Sequence, residues 1–63
     1  MLSKDFARYF GNIVRKHRKA RFFTQEQLAE KSDLAPKMIS LIERSQRNPS
    51  LNVANSIAQG LSV

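Results

Sequence analysis

TQEQLAEKSDLAPKMISLIERSQRNPSL, residues 24–51, carries three helix starts and two helix stops in close succession. Thr24-Gln25-Glu26-Gln27 fits a capping box, in which the Thr side chain takes the Gln27 N–H and the Gln27 side chain returns to the Thr24 N–H. A helix over about 25–31 follows, turning Leu28 and Ala29 inward. Ser32-Asp33-Leu34 has turn chemistry, because Asp tolerates the left-handed region better than most residues. Pro36 suits the first position of a helix and no interior one, so the next helix spans about 36–44. Ser45 to Pro49 form a polar loop, and Ser50 caps a helix over about 51–60 with Leu51, Ala54, Ile57, Ala58 and Leu61 on one face. The connection Ser32–Ala35 is very short. Two short helices so joined form either a helix-turn-helix unit or an antiparallel hairpin, and spacing leaves both open.

Upstream, Phe6, Tyr9, Phe10, Ile13, Val14 and His17 recur at spacings of three and four, the stripe of an amphipathic helix. Ser3 serves as its N-cap, Asp5 sits in its first turn, and the helix spans about 3–20. Gly11 inside it costs about 1 kcal/mol relative to Ala, a loss that close packing of another helix would explain. No alternation of period two appears anywhere. The expectation is one all-α domain over residues 1–63.

Composition narrows the function. Sixty-three residues exclude a multidomain enzyme and a cleft between two lobes. With no Cys there is neither a disulfide framework nor a Cys-ligated zinc, and one His builds no metal site alone. No Ser/His/Asp or Cys/His set exists, and the acids Asp5, Glu26, Glu30, Asp33 and Glu43 are scattered. Neither an enzyme nor a cofactor is expected. No apolar run approaches the roughly 18 residues of a membrane span, and no signal segment is present. A soluble domain of a reducing compartment, the cytoplasm, is implied. The net charge of +6 points to an anionic partner, nucleic acid first. That charge is uneven. Residues 1–21 hold seven basic residues against Asp5, residues 22–34 hold three acids against Lys31, and residues 35–63 hold Lys37, Arg44 and Arg47 against Glu43. The run Arg15, Lys16, Arg18, Lys19, Arg21 reads equally as a nucleic-acid patch and as a solvated helix face.

From Phe10 onward the chain resembles the DNA-binding domain of the lambda repressor and Cro family, the XRE-type helix-turn-helix. The resemblance rests on Phe10-Gly11, Arg18, Thr24 through Lys31, Met38 through Arg44, Asn48-Pro49-Ser50-Leu51, and Ile57-Ala58 to Val63, in one register without a gap. It implies a compact four-helix domain, or a five-helix one cut short, since the family often continues into a fifth helix. Phe22, Asp33 and Ser45 stand where the family usually has Gly. Positive φ is common at such places, and a Cβ there costs on the order of 1 kcal/mol.

The resemblance also assigns roles. The helix over 36–44 enters the major groove, with Pro36, Lys37, Ser40 and Leu41 as base contacts, Lys37 reading equally as a phosphate contact. Leu34, Met38, Ile39 and Ile42 form its inward stripe, which leaves Leu41 open to a half-buried packing role. Gln25 faces a phosphate at the positive end of a helix dipole, and Arg44, Gln46, Arg47 and Asn48 clamp the backbone on the other side. Arg18 and Glu43 match a structural salt bridge of the family. His17 reads as a packing residue and not as a ligand. The function implied is sequence-specific binding of double-stranded DNA by a bacterial or phage transcriptional regulator, with a homodimer on a palindromic operator. A protein-interaction module that has lost DNA reading is the alternative, supported by the few bidentate base readers around Ala35-Pro36-Lys37. A basic amphipathic helix lying on a membrane leaves residues 26–63 without a role. Phe22 is the candidate for an exposed contact with a partner, and a core position suits Phe6.

Overall fold

A computed structural model describes residues 4–62. Four helices follow one another: α1 (Lys4–Ala20), α2 (Gln25–Ser32), α3 (Pro36–Glu43) and α4 (Leu51–Leu61). The Ser3 cap lies outside the described residues. α2 packs on both α3 and α4, and α1 lies across α3 with a lighter contact to α4. Val14, Leu28, Ala29, Ile39, Ile42, Ile57 and Leu61 fill the centre, with Phe10, Phe23, Leu34, Met38 and Val53 packed around them. Each fully buried Leu or Ile contributes roughly 1.5–3 kcal/mol, so Ile39 and Ile42 fasten α3 firmly from beneath.

Local chemistry sets the helix starts. Thr24 Oγ1 accepts from Gln27 N at 3.0 Å and Gln27 Oε1 accepts from Thr24 N at 2.8 Å, which completes the capping box. Pro36 occupies the first turn of α3, whose N-cap Ala35 has no side-chain bond to offer. Ser50 Oγ accepts from Val53 N at 3.1 Å and opens α4.

The helix stops share one device. α1, α2 and α3 each end on a non-glycine residue in the left-handed region: Phe22 at φ 58°, Asp33 at φ 57° and Ser45 at φ 61°. In each case the following N–H reaches five residues back: Phe23 to Arg18 O at 3.1 Å, Leu34 to Ala29 O at 2.8 Å, Gln46 to Leu41 O at 2.9 Å. This is the Schellman closure, which favours glycine at its left-handed position. Phe22 is 91% exposed and recovers nothing through packing. Phe22→Gly is therefore expected to stabilise the domain by roughly 0.5–1 kcal/mol, after the extra freedom glycine has in the unfolded chain. A urea titration showing a lower midpoint for the variant would contradict this.

Two helices are rotated from their expected faces. In α1 the buried line runs through Ala7, Gly11 and Val14, while Tyr9 is 67% exposed and Phe6, stacked on Phe10 at 5.8 Å, sits at the edge. A Cβ on Gly11 would meet the Ile42 carbonyl oxygen, with Glu43 O and Ser45 Oγ both at 3.3 Å. In α4 the packed line is Val53, Ile57, Gly60 and Leu61, and Leu51 is 90% exposed. Gly60 lies against Ser32 at the end of α2. The packed faces thus include Ala7 and Val53 but exclude Tyr9 and Leu51, with Gly11 and Gly60 at points of close approach.

Candidate nucleic-acid interface

The N-terminal ends of α2 and α3 open on a shared groove of about 560 Å³, lined by Thr24, Gln25, Glu26, Pro36, Lys37, Ser40 and Arg18. Pro36 and Lys37 are exposed at the tip of α3, and Ser40 follows one turn later, half-buried. Leu41 is also half-buried and does not line this groove. Arg44, Gln46, Arg47 and Asn48 are exposed along the turn that leaves α3. The groove and this turn border the two ends of one short helix.

Beneath the groove lies a knot of polar contacts. Glu43 is buried, and its carboxylate accepts from Arg18 Nε at 2.6 Å, Arg18 Nη2 at 2.9 Å and Gln25 Nε2 at 3.0 Å. Arg18 Nη1 also donates to Phe23 O at 2.8 Å. One ion pair thereby joins the end of α1, the loop before α2, the start of α2 and the end of α3. The Glu43 hydrogen bonds hold the Arg18 guanidinium above its ordinary range, against the opposing effect of desolvation. Arg18 stays charged and internal.

This knot takes up one N–H of the Gln25 side-chain amide through Glu43. What faces outward at this helix start is main chain: the N–H groups of Gln25 and Glu26 have no intrahelical acceptor, as in the first turn of any α-helix. With the helix dipole they favour an anion. Glu26 and Thr24 were missed as groove residues, although their places in the capping box put them at that mouth. His17 is half-buried, with Arg21 Nη1 3.3 Å from its Nδ1. Phe23 carries the Lys31 ammonium 5.0 Å from its ring centroid. Among the described residues, no helix is long and apolar enough to cross a membrane.

Two short helices linked by a left-handed turn, the second presenting an exposed polar face and held by an internal ion pair, define a helix-turn-helix DNA-binding domain. A family model described as helix-turn-helix matches residues 14–63. The chain belongs to this family, in its lambda repressor-like branch, a DNA-binding transcription-regulator fold. It is 40% identical over 53 residues to the immunity repressor protein of Bacillus phage phi105, a match covering 84% of this chain and 37% of that protein. It is 39% identical over 49 residues to an uncharacterized HTH-type transcriptional regulator of Methanothermobacter thermautotrophicus, covering 78% of this chain and 71% of that one. The chain thus spans little more than a third of the phage repressor. Crystal structures of two variants of the restriction-modification controller protein C.Esp1396I superpose with TM-scores of 0.87 and 0.88. Both are 37% identical and cover 90% of this chain; the matches take in 74% and 76% of theirs. The all-α fold is therefore that of the family.

Proposed function

We propose that residues 1–63 act as one DNA-reading domain that seats α3 in the major groove of an operator half-site and regulates transcription from the cytoplasm. The supporting observation is the exposed tip of α3 beside the open N-terminus of α2, with both helices fixed by the Arg18–Glu43 knot. An α-helix with its side chains is about 10–12 Å across, which suits a major groove about 12 Å wide. Lys37 donates to guanine O6 and N7, Ser40 to an acceptor at the base edge, and Pro36 and Leu41 pack on thymine methyl groups. Gln25 contributes its main-chain N–H to a phosphate, and Arg44, Gln46, Arg47 and Asn48 hold the backbone beyond the other end of α3. Two copies on a palindrome would sit about 34 Å apart, one turn of DNA.

In-vitro selection of bound duplexes tests this and returns site sequence and spacing together. Lys37→Ala is expected to weaken the selected site by about 1–3 kcal/mol and to relax preference at one base pair. Arg47→Gln should instead weaken all duplexes alike. On a duplex trimmed to the half-site, log K should fall against log salt with a slope near −4.5 if about five phosphates are neutralised. Equal binding of every duplex at matched salt would overturn operator reading in favour of a protein-interaction module.

A further inference from the structure

The larger share of unpaired positive charge lies away from α3. Arg18 is held by Glu43, Arg21 is bonded to His17, and Lys31 rests over Phe23. Among the described residues this leaves Lys37, Arg44 and Arg47 around α3, and Arg8, Arg15, Lys16 and Lys19 on α1, all exposed and without an ion pair. At about 100° per residue, those four and Asn12 fall within an arc of about 100°, centred some 110–120° around α1 from the line of Ala7, Gly11, Val14 and Arg18 that packs inward. From Arg8 to Lys19 the row is about 16 Å long. Asp5 is the one acid on this arc, at its N-terminal end.

Like charges four and seven positions apart on one helix face repel, and a solvated face gains nothing by concentrating them. A row of cations along one helix face matches a row of phosphates. We infer that Arg8, Asn12, Arg15, Lys16 and Lys19 form a second DNA-binding face, which grips the phosphodiester backbone without regard to sequence. An anionic bilayer fits less well, because a membrane-surface helix must bury an apolar face in the lipid. Here Phe10, Ile13 and Val14 are turned toward the protein interior or half-buried. The backbone bound belongs either to DNA flanking the half-site or to a second duplex.

The experiment uses the whole chain, a random-sequence duplex and a selected half-site duplex. Two variants are compared: Arg8→Gln/Arg15→Gln/Lys16→Gln/Lys19→Gln, and Lys37→Gln/Arg44→Gln/Arg47→Gln. Gln, Lys and Arg have similar helix propensity, and circular dichroism checks that both variants are folded. On the random duplex at low salt, the α1 variant is expected to lose at least tenfold in affinity. Its log K against log salt should flatten by about 3–4, the release expected for four phosphate contacts. The α3 variant should lose operator preference, with its random-duplex slope flattened by only about 2 for the Arg44 and Arg47 contacts. Tighter binding on lengthening the half-site duplex identifies flanking DNA; capture of a labelled second duplex by the half-site complex identifies bridging. A wild-type slope in the α1 variant overturns the inference and leaves operator reading intact. So does wild-type duplex binding with loss confined to phosphatidylserine vesicles. Loss of base selectivity in the wild type, with the α1-dependent slope retained, sinks operator reading alone.

Discussion

Glu43→Ala is expected to cost about 3 kcal/mol, at the lower end for a broken buried pair, because it strands a half-buried guanidinium whose partner has been removed. Arg18 would keep only the Phe23 carbonyl, and the Gln25 amide would lose its acceptor as well. A 63-residue domain has on the order of 3–9 kcal/mol of stability in total at ordinary values per residue. The variant should therefore lose roughly a third or more of its stability and melt well below wild type. Thermal and urea melts followed by circular dichroism measure this directly. Arg18→Lys keeps the charge but not the two-pronged geometry, so it should fall between wild type and Glu43→Ala. Base preference in the folded fraction should be unchanged, since Glu43 is covered and faces no partner. A variant that melts like wild type yet selects a different site would contradict the structural role.

Gly11→Ala carries the second large effect, and its sign is the informative part. In an exposed helix interior, replacing Gly by Ala gains about 1 kcal/mol. At Gly11 the new Cβ would overlap the Ile42 carbonyl oxygen, which is main chain at the end of α3 and has no rotamer to move to. Relief requires α1 to withdraw from α3, and withdrawal pulls Arg18 away from Glu43. A loss of about 3 kcal/mol is expected, the upper part of the range for overpacked sites. Calorimetry or denaturant titration would show it, and a raised melting temperature would contradict the close approach. Gly60 differs: the nearest atom to a Cβ there is the Ser32 hydroxyl, a side chain.

These two residues also mark how much was legible in the sequence. Thr24, Gln27, Pro36 and Ser50 act on their immediate neighbours, so the starts of α2, α3 and α4 could be placed from the sequence. The inward stripe of α3 was equally clear, because Met38, Ile39 and Ile42 together outweigh Leu41, the large apolar residue on the opposite face. Rotations of α1 and α4 were not clear. Large apolar residues dominate a periodic pattern, and they pointed to Tyr9 and Leu51. What decides the rotation is the smallest side chain, since Gly11 and Gly60 mark where two helix axes come closest. That information is an absence of atoms, and periodicity does not weigh it. In the candidate interface, the resemblance supplied the pairing of Arg18 with Glu43. The third contact, from Gln25, joins residues 18 positions apart and has no local signature. It uses one N–H of a side chain that is also expected to meet phosphate.

The left-handed residues that close the helices bear on how such a domain changes its target. New base preferences come from exchanging residues at the tip of α3, and most exchanges in a small protein erode its stability. A chain already at its limit cannot explore them. This one holds Phe22, Asp33 and Ser45 at positions where glycine would relieve strain. None of the three lines the groove between α2 and α3. Each is an unspent correction, open to be made before or after a change in the reading helix, and together they leave the domain room to evolve toward another operator.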